Sequence, residues 1–220
     1  MIRSSEPFLA VAFDMDGLMF DTEDVYWKAA SALLGKRGFI YTDELCADIM
    51  GRPPQYCFET FKKMFSLPEA WQELQRESED FFLQFLDDGF SEMPGLHELL
   101  DILDAKHYRK CICTSSSIRV VSEVLKRKGL TERFEFVLTA EDITAGKPNP
   151  EIYLKAAEQF GVKPHQMLVL EDSTAGTQAA KAAGCLCIAV RAEHNKTSDL
   201  SAAHQMANSL NDKQILQHFL

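Results

Sequence analysis

The sequence predicts an α/β fold: a Rossmann-like parallel sheet flanked by helices, with a helical cap inserted after the first strand. Three observations predict it. Short apolar runs of strand length recur, "FLAVAF" near the start and "KCICT", "FEFVLT", "MLVLED" and "CLCIAV" after the midpoint. Such uninterrupted runs suit strands buried on both faces of a parallel sheet. Between the later runs lie segments with helical spacing, so the second half reads as a β-α repeat. Residues 20–91 break that alternation, being rich in helix formers and aromatics without an obvious buried strand.

Taken in order, the first strand is the run Phe8 to Phe13, bounded by Pro7 and Gly17, and three aspartates, Asp14, Asp16 and Asp21, follow it within eight residues. They stand at the carboxyl end of the strand, where open α/β sheets bind ligands. Asp21, next to Thr22 and Glu23, reads as a hinge or helix-cap residue rather than a chemical one. Pro94 and Gly95 mark the return from the insertion. The expected division is therefore a core of residues 1–19 and 92–220 and a cap of residues 20–91. Helices are expected in "GLHELLDILDAKH", "SIRVVSEVLKRKG", "NPEIYLKAAEQFG" and "STAGTQAAKAAG". Asn149 can cap the third of these with Pro150 at its first position, and Gly129, Gly161 and Gly184 stand where helices would end. The tail from Asp199 adds a short strand, a loop and a helix.

A chain of 220 residues with 46% hydrophobic and 25% charged residues is long enough for a packed core and ordinary for a soluble globular enzyme. The net charge of -10 argues against nucleic acid, since backbone phosphates require a basic face. No run approaches the ~20 apolar residues of a membrane span, and the first residues lack the apolar segment of a signal peptide, so a cytoplasmic protein is expected. Of the six cysteines, Cys111, Cys113, Cys185 and Cys187 lie in apolar runs and read as small, reduced core residues. Their C-x-C spacing is not that of a structural zinc site.

The residues that follow the apolar runs are Asp14 and Asp16, then Thr114, Ser115 and Ser116, then Glu171 and Asp172, while Lys147 enters from a loop between two strands. A parallel sheet gathers all of them at one edge. Carboxylates so crowded repel strongly: at an effective dielectric of about 20, two charges ~4 Å apart interact by ~4 kcal/mol. A cation among them is therefore expected. Magnesium suits oxygen ligands and substrate phosphate, and the absence of histidine from these motifs disfavours zinc or iron. Hydroxyls, an ammonium and the N-terminus of the helix near Ser117 supply donors for phosphate oxygens. Together these groups point to phosphoryl transfer.

"DMDG", "TSS", "GKPNP" and "EDS" resemble the four motifs of the haloacid dehalogenase-like superfamily, in order and spacing, over almost the whole chain. "DGLMFDTE" and "LEDSTAGTQAAKAAG" further resemble its β-phosphoglucomutase-like branch, whose helical cap follows the first motif. The resemblance implies that Asp14 attacks phosphorus and forms an aspartyl-phosphate. Asp16 would protonate the leaving oxygen, later activate water, and lend its backbone carbonyl to the metal. Thr114 and Ser115 would hold the phosphoryl group and Lys147 would offset charge on Asp14 and the phosphate. Asp14 and Asp172 would bind magnesium, with Glu171 doing so through water. A carboxylate nucleophile is chemically reasonable in this setting.

The cap chooses the substrate, because closing it keeps the aspartyl-phosphate from unintended acceptors. In "MGRPPQYCFETF", Arg52 stands where relatives carry a basic residue facing the substrate, although a surface arginine before a Pro-Pro turn reads equally well. The cap aromatics, among them Tyr26, Trp27, Phe58, Phe61, Phe65, Trp71, Phe81 and Phe82, read as its own core. A dehalogenase is disfavoured by Asp16, since halide departure needs no proton whereas an ester oxygen does. A receiver-type signalling module would order its acids, hydroxyl and lysine differently. The leading expectation is a monomeric, magnesium-dependent phosphatase of small phosphorylated metabolites such as sugar phosphates or nucleotide-like monoesters, with a phosphosugar mutase as the alternative. Tyr26 favours the former: β-phosphoglucomutase has a histidine there, implicated in coupling sugar binding to the acid-base aspartate. A phenol is no proton carrier at neutral pH, although it can pack or hydrogen-bond.

Overall fold

A computed structural model of the chain describes residues 8–49 and 52–219; Pro7 and Gly51 lie outside them. The strands are β1 (Ala10–Phe13), β2 (Phe20–Asp21), β3 (Ser91–Glu92), β4 (Arg109–Cys113), β5 (Phe136–Leu138), β6 (Met167–Glu171), β7 (Leu186–Val190) and β8 (Gln205–Ala207). The helices are α1 (Glu23–Gly35), α2 (Asp43–Ile49), α3 (Pro54–Phe65), α4 (Trp71–Phe85), α5 (Leu96–Ala105), α6 (Ile118–Lys128), α7 (Glu151–Phe160), α8 (Thr174–Ala183) and α9 (Lys213–Leu216).

The main sheet has the order β5-β4-β1-β6-β7-β8 and every neighbouring pair in it is parallel. β1 lies at the centre, with Phe13 opposite Ile112 on one side and Leu170 on the other. The chain winds outward from β1 in both directions, which leaves a crevice beyond the carboxyl ends of β4, β1 and β6. These strands carry the expected Thr114, Asp14 and Glu171.

Alternate strand residues divide the core into two layers. Val11, Phe13, Ile112, Leu168, Leu170 and Ile188 face one side, whereas Ala10, Ala12, Cys111, Cys113, Met167, Val169 and Cys187 face the other. The second face is built from small residues. It receives Tyr153, Ala156 and Ala157 of α7 and Ala179, Ala180 and Ala183 of α8, which allows a close approach of helix to sheet. The buried cysteines are free thiols in this layer, as their apolar context predicts.

Gly129, Gly161 and Gly184 close α6, α7 and α8 in the left-handed conformation. The start of α7 falls one residue later than expected: Pro150 is its cap position, and the Asn149 side chain accepts a 3.0 Å hydrogen bond from the Glu151 N–H. The tail forms β8, a loop and α9. Within 20–91, α1 to α4 enclose an apolar cluster of Leu33, Leu34, Tyr41, Leu45, Phe61 and Leu74. The chain enters this segment through β2 and leaves it through β3, which pair antiparallel with Asp21 opposite Ser91. Asp21 is thus part of a two-stranded ribbon, and the cap position of α1 belongs to Thr22. None of the described helices is long and apolar enough to cross a membrane.

Candidate active site

The loop after β1 is anchored by side chains that enter the core. Met15, Leu18 and Met19 are fully buried, so Asp14 and Asp16 are held toward the opposite side, on the wall of one cavity of about 860 Å³. Thr114, Ser115, Lys147, Asp172 and Arg52 line the same cavity, and of the expected site residues only Glu171 does not.

Glu171 lies behind the site, fully buried. Its Oε1 accepts from Lys147 Nζ at 2.7 Å and from the Tyr153 hydroxyl at 2.7 Å. Its Oε2 accepts from the Ser173 hydroxyl at 3.0 Å and from the backbone N–H groups of Asp172 and Ser173, each at 3.1 Å. Both oxygens are therefore engaged. Gly176 of α8 makes room for them, since a Cβ there would fall 1.7 Å from Oε1. Lys147 Nζ also donates to Asp14 Oδ1 at 2.5 Å and to the Cys113 carbonyl at 2.9 Å, which bridges three strand ends.

One ammonium cannot neutralise three carboxylates. Burial alone would raise the pKa of Glu171, but Lys147 and its other donors outweigh that and hold it below its usual value. Burial would likewise lower Lys147, but Asp14 and Glu171 raise it, so it stays protonated. Asp14 is left with the surplus: burial, Glu171 and Asp172 push its pKa well up in spite of Lys147. Burial pushes Asp172 up to about 6, against the hydrogen bond from His194. One oxygen of Asp172, Oδ1, is buried with no hydrogen-bond partner among the described residues. Asp14, Glu171 and Asp172 offer oxygens that all lie within 4.8 Å of one another. An all-oxygen set with surplus negative charge and an unpartnered carboxylate oxygen fits a hard divalent cation such as magnesium.

Two residues near Asp172 carry no signal in the sequence motifs. His194, from the loop after β7, has Nε2 2.9 Å from Asp172 Oδ2, and Asp172 raises its pKa. Asn195 pins that loop by donating to the carbonyls of Asp172 at 2.8 Å and Val190 at 3.0 Å. Tyr153 is likewise unsignalled, because a tyrosine on the apolar face of a helix reads as core. Gly17 explains the glycine after the second aspartate: it has φ +79°, and a Cβ there would lie 2.3 Å from Asp172 Oδ2 and 2.9 Å from His194 Nε2. Gly17→Ala is expected to weaken magnesium binding about tenfold or more and to lower the melting midpoint by several degrees, read by calorimetric titration and thermal unfolding.

Asp16 meets hydroxyls on both oxygens. Thr22 Oγ1 donates to Oδ1 at 2.7 Å; Ser116 Oγ and Thr114 Oγ1 donate to Oδ2 at 2.6 and 3.3 Å. Burial still raises its pKa, as suits a proton donor. Ser116 therefore joins the site, and it also lies 2.7 Å from the Tyr26 hydroxyl, so Tyr26 does couple to Asp16 by hydrogen bonds. Ser115 lines the cavity beside it, and Ser117 caps α6. Arg52 is exposed at the cavity, its guanidinium 5.3 Å from the Tyr56 ring centroid. Of the cap aromatics, Phe61 lies in the apolar cluster of α1 to α4 and Trp27, Phe58, Phe65 and Phe81 pack against it, while Tyr26, Trp27, Phe58, Phe61 and Phe82 also wall the cavity.

The sequence profile of the haloacid dehalogenase-like hydrolases matches residues 11–190. The chain is 31% identical to the phosphorylated carbohydrates phosphatase of Thermotoga maritima over 80% of its own length and 81% of that protein. It is 32% identical to the probable pseudouridine-5'-phosphatase of Drosophila melanogaster, covering 91% and 89%. Its fold superposes on CbbY from Rhodobacter sphaeroides, solved with phosphate, with a TM-score of 0.89 at 22% identity, covering 96% and 99%. The match across the strand ends that build the site and the extent of these likenesses lead to one conclusion: the chain belongs to the haloacid dehalogenase-like hydrolase family.

Proposed function

We propose that this phosphatase of small phosphorylated metabolites works through an aspartyl-phosphate on Asp14 with magnesium as its cofactor. The observation that carries the reading is the Asp14–Lys147–Glu171 arrangement at the end of a cavity that also presents Asp16, Thr114 and Asp172. Asp14 attacks phosphorus while Lys147 and the hydroxyls of Thr114 and Ser115 steady the phosphoryl oxygens. Asp16 gives its proton to the departing ester oxygen and then removes one from the water that releases phosphate. Asp14, Asp172 and the backbone carbonyl of Asp16 would hold magnesium, and Glu171 contributes from behind by fixing Lys147. The bound ion supplies positive charge that keeps Asp14 ionised and offsets charge on the phosphoryl oxygens. Arg52 meets a second polar or anionic group of the substrate. With a net charge of -10, the chain acts on small metabolites rather than nucleic acid, and we place it in the cytoplasm as a monomer.

A panel of phosphorylated metabolites assayed for phosphate release in magnesium tests this reading. Free phosphate is expected from at least one sugar phosphate or nucleotide-like monoester without a bisphosphate activator. In an NMR assay, β-glucose 1-phosphate is expected to give no glucose 6-phosphate. Efficient isomerisation with little free phosphate would establish the mutase alternative instead.

A further inference from the structure

The carboxylate of Asp16 is oriented from two sides of the crevice. Thr114 and Ser116 come from the loop after β4, on the sheet, and Thr22 precedes α1. Ser116 is the closest of these donors to Oδ2, and its oxygen is also 2.7 Å from the Tyr26 hydroxyl on α1. The serine hydroxyl has one hydrogen, and it is donated to Asp16 Oδ2. The direction is then set: Tyr26 O–H donates to Ser116 Oγ, and Ser116 O–H donates to Asp16 Oδ2. Hydrogen bonds in such a chain polarise one another, so the second is strengthened by the first.

The phenol is itself held in place. Its ring packs on Phe82 of α4 with centroids 4.4 Å apart and planes at 39°, and Phe82 is buried in the core cluster that continues into the sheet. A phenol with an ordinary pKa of about 10 keeps its proton at neutral pH and serves as a fixed donor.

We propose that Tyr26 and Ser116 form a positioning pair that fixes the carboxylate of Asp16 for proton transfer to the leaving oxygen, joining the α1 side of the crevice to the sheet side. The proposal rests on the assignment of Asp16 as the acid. It makes Tyr26 a positioning residue that acts only through Ser116, and Ser116 an orienting donor rather than a phosphate ligand.

The test compares two leaving groups. An alkyl phosphate from the metabolite panel needs a proton on its departing oxygen, whereas p-nitrophenyl phosphate releases a stabilised phenolate that does not. Because kcat/KM reports the steps up to the first irreversible one, the ratio of alkyl to aryl kcat/KM isolates the contribution of the acid. Tyr26→Phe keeps the ring and removes only the hydroxyl. It and Ser116→Ala are each expected to lower the ratio about tenfold, and the double variant to fall no further than Ser116→Ala, since both changes cut one chain. Ser116→Thr, which retains the hydroxyl, is expected to restore most of the ratio. An unchanged ratio in Tyr26→Phe, or effects that multiply in the double variant, would overturn the pair. Asp16→Asn is the reference and is expected to lower the ratio about a hundredfold or more. If Asp16→Asn leaves the ratio unchanged, the acid assignment fails and takes the pair with it. If Asp16→Asn lowers the ratio and Tyr26→Phe does not, the pair alone fails.

Discussion

Asp14→Asn is expected to lower turnover by at least about ten-thousandfold while leaving the fold in place. The amide has the shape of the carboxylate, and its carbonyl oxygen can still accept from Lys147, now 2.5 Å from Asp14 Oδ1. What is lost is the negative lone pair that would attack phosphorus, and neither Glu171 nor Asp16 can take its place. Glu171 is saturated by donors and does not line the cavity, and Asp16 is tied to hydroxyls on both oxygens. The same change removes one negative charge from three carboxylates that share one ammonium. In magnesium-free buffer the variant is therefore expected to melt no lower than the parent. Circular dichroism and steady-state rates decide the matter, and retention of more than about a hundredth of the parent rate would make Asp14 a structural residue.

Removing divalent cations is expected to abolish turnover by about a hundredfold or more, with magnesium restoring it. Calcium is expected to inhibit, because its ligands stand at about 2.3–2.6 Å in a loose shell, against about 2.0–2.1 Å in the octahedron of magnesium. The carboxylates also give this prediction a sign in pH. Asp172 moves from its ordinary 3.8 to about 6 in the folded chain, so the folded state holds that proton more tightly than the unfolded state does. The metal-free protein is then most stable below the ordinary value and loses that contribution as pH rises through about 6. Asp14 is shifted in the same direction. Magnesium relieves a penalty that is complete only at neutral pH, so it is expected to raise the melting midpoint by about 5–10 °C at about pH 7.5 and by much less at about pH 5. Asp172→Asn should lose most of that rise. Full turnover in protein shown to contain no metal would sink the assignment.

Much of this was legible along the chain because it rests on local chemistry. The apolar runs that become β1, β4, β6 and β7 are continuous because both faces of each central strand are covered, and the first three end at Asp14, Thr114 and Glu171 of the site. The glycine caps of α6, α7 and α8 stand where a left-handed residue must close a helix. Ser116 was one hydroxyl among neighbours that look alike, and the strand-to-helix turn decides which of them reaches Asp16. His194 and Asn195 come from an irregular loop with no periodicity, and Tyr153 is hidden by an apolar helix face.

The sequence by itself determined the class of fold, the succession along the chain of the strands that bear the site, and the presence of two aspartates, a hydroxyl, a lysine and an acidic pair for phosphoryl chemistry. Strand-forming runs and short turns constrain these features without reference to anything distant. Only the tertiary structure decided how the charges are shared. Lys147, Tyr153 and the turn at Ser173 all converge on Glu171, so that carboxylate is satisfied behind the cavity while Asp172 keeps an unpartnered oxygen. The two acids are adjacent in sequence and differ in role because successive residues leaving a strand face opposite ways into different surroundings. The link from Tyr26 through Ser116 to Asp16 is of the same kind, since it spans 90 residues of chain and exists only where α1 meets the loop after β4.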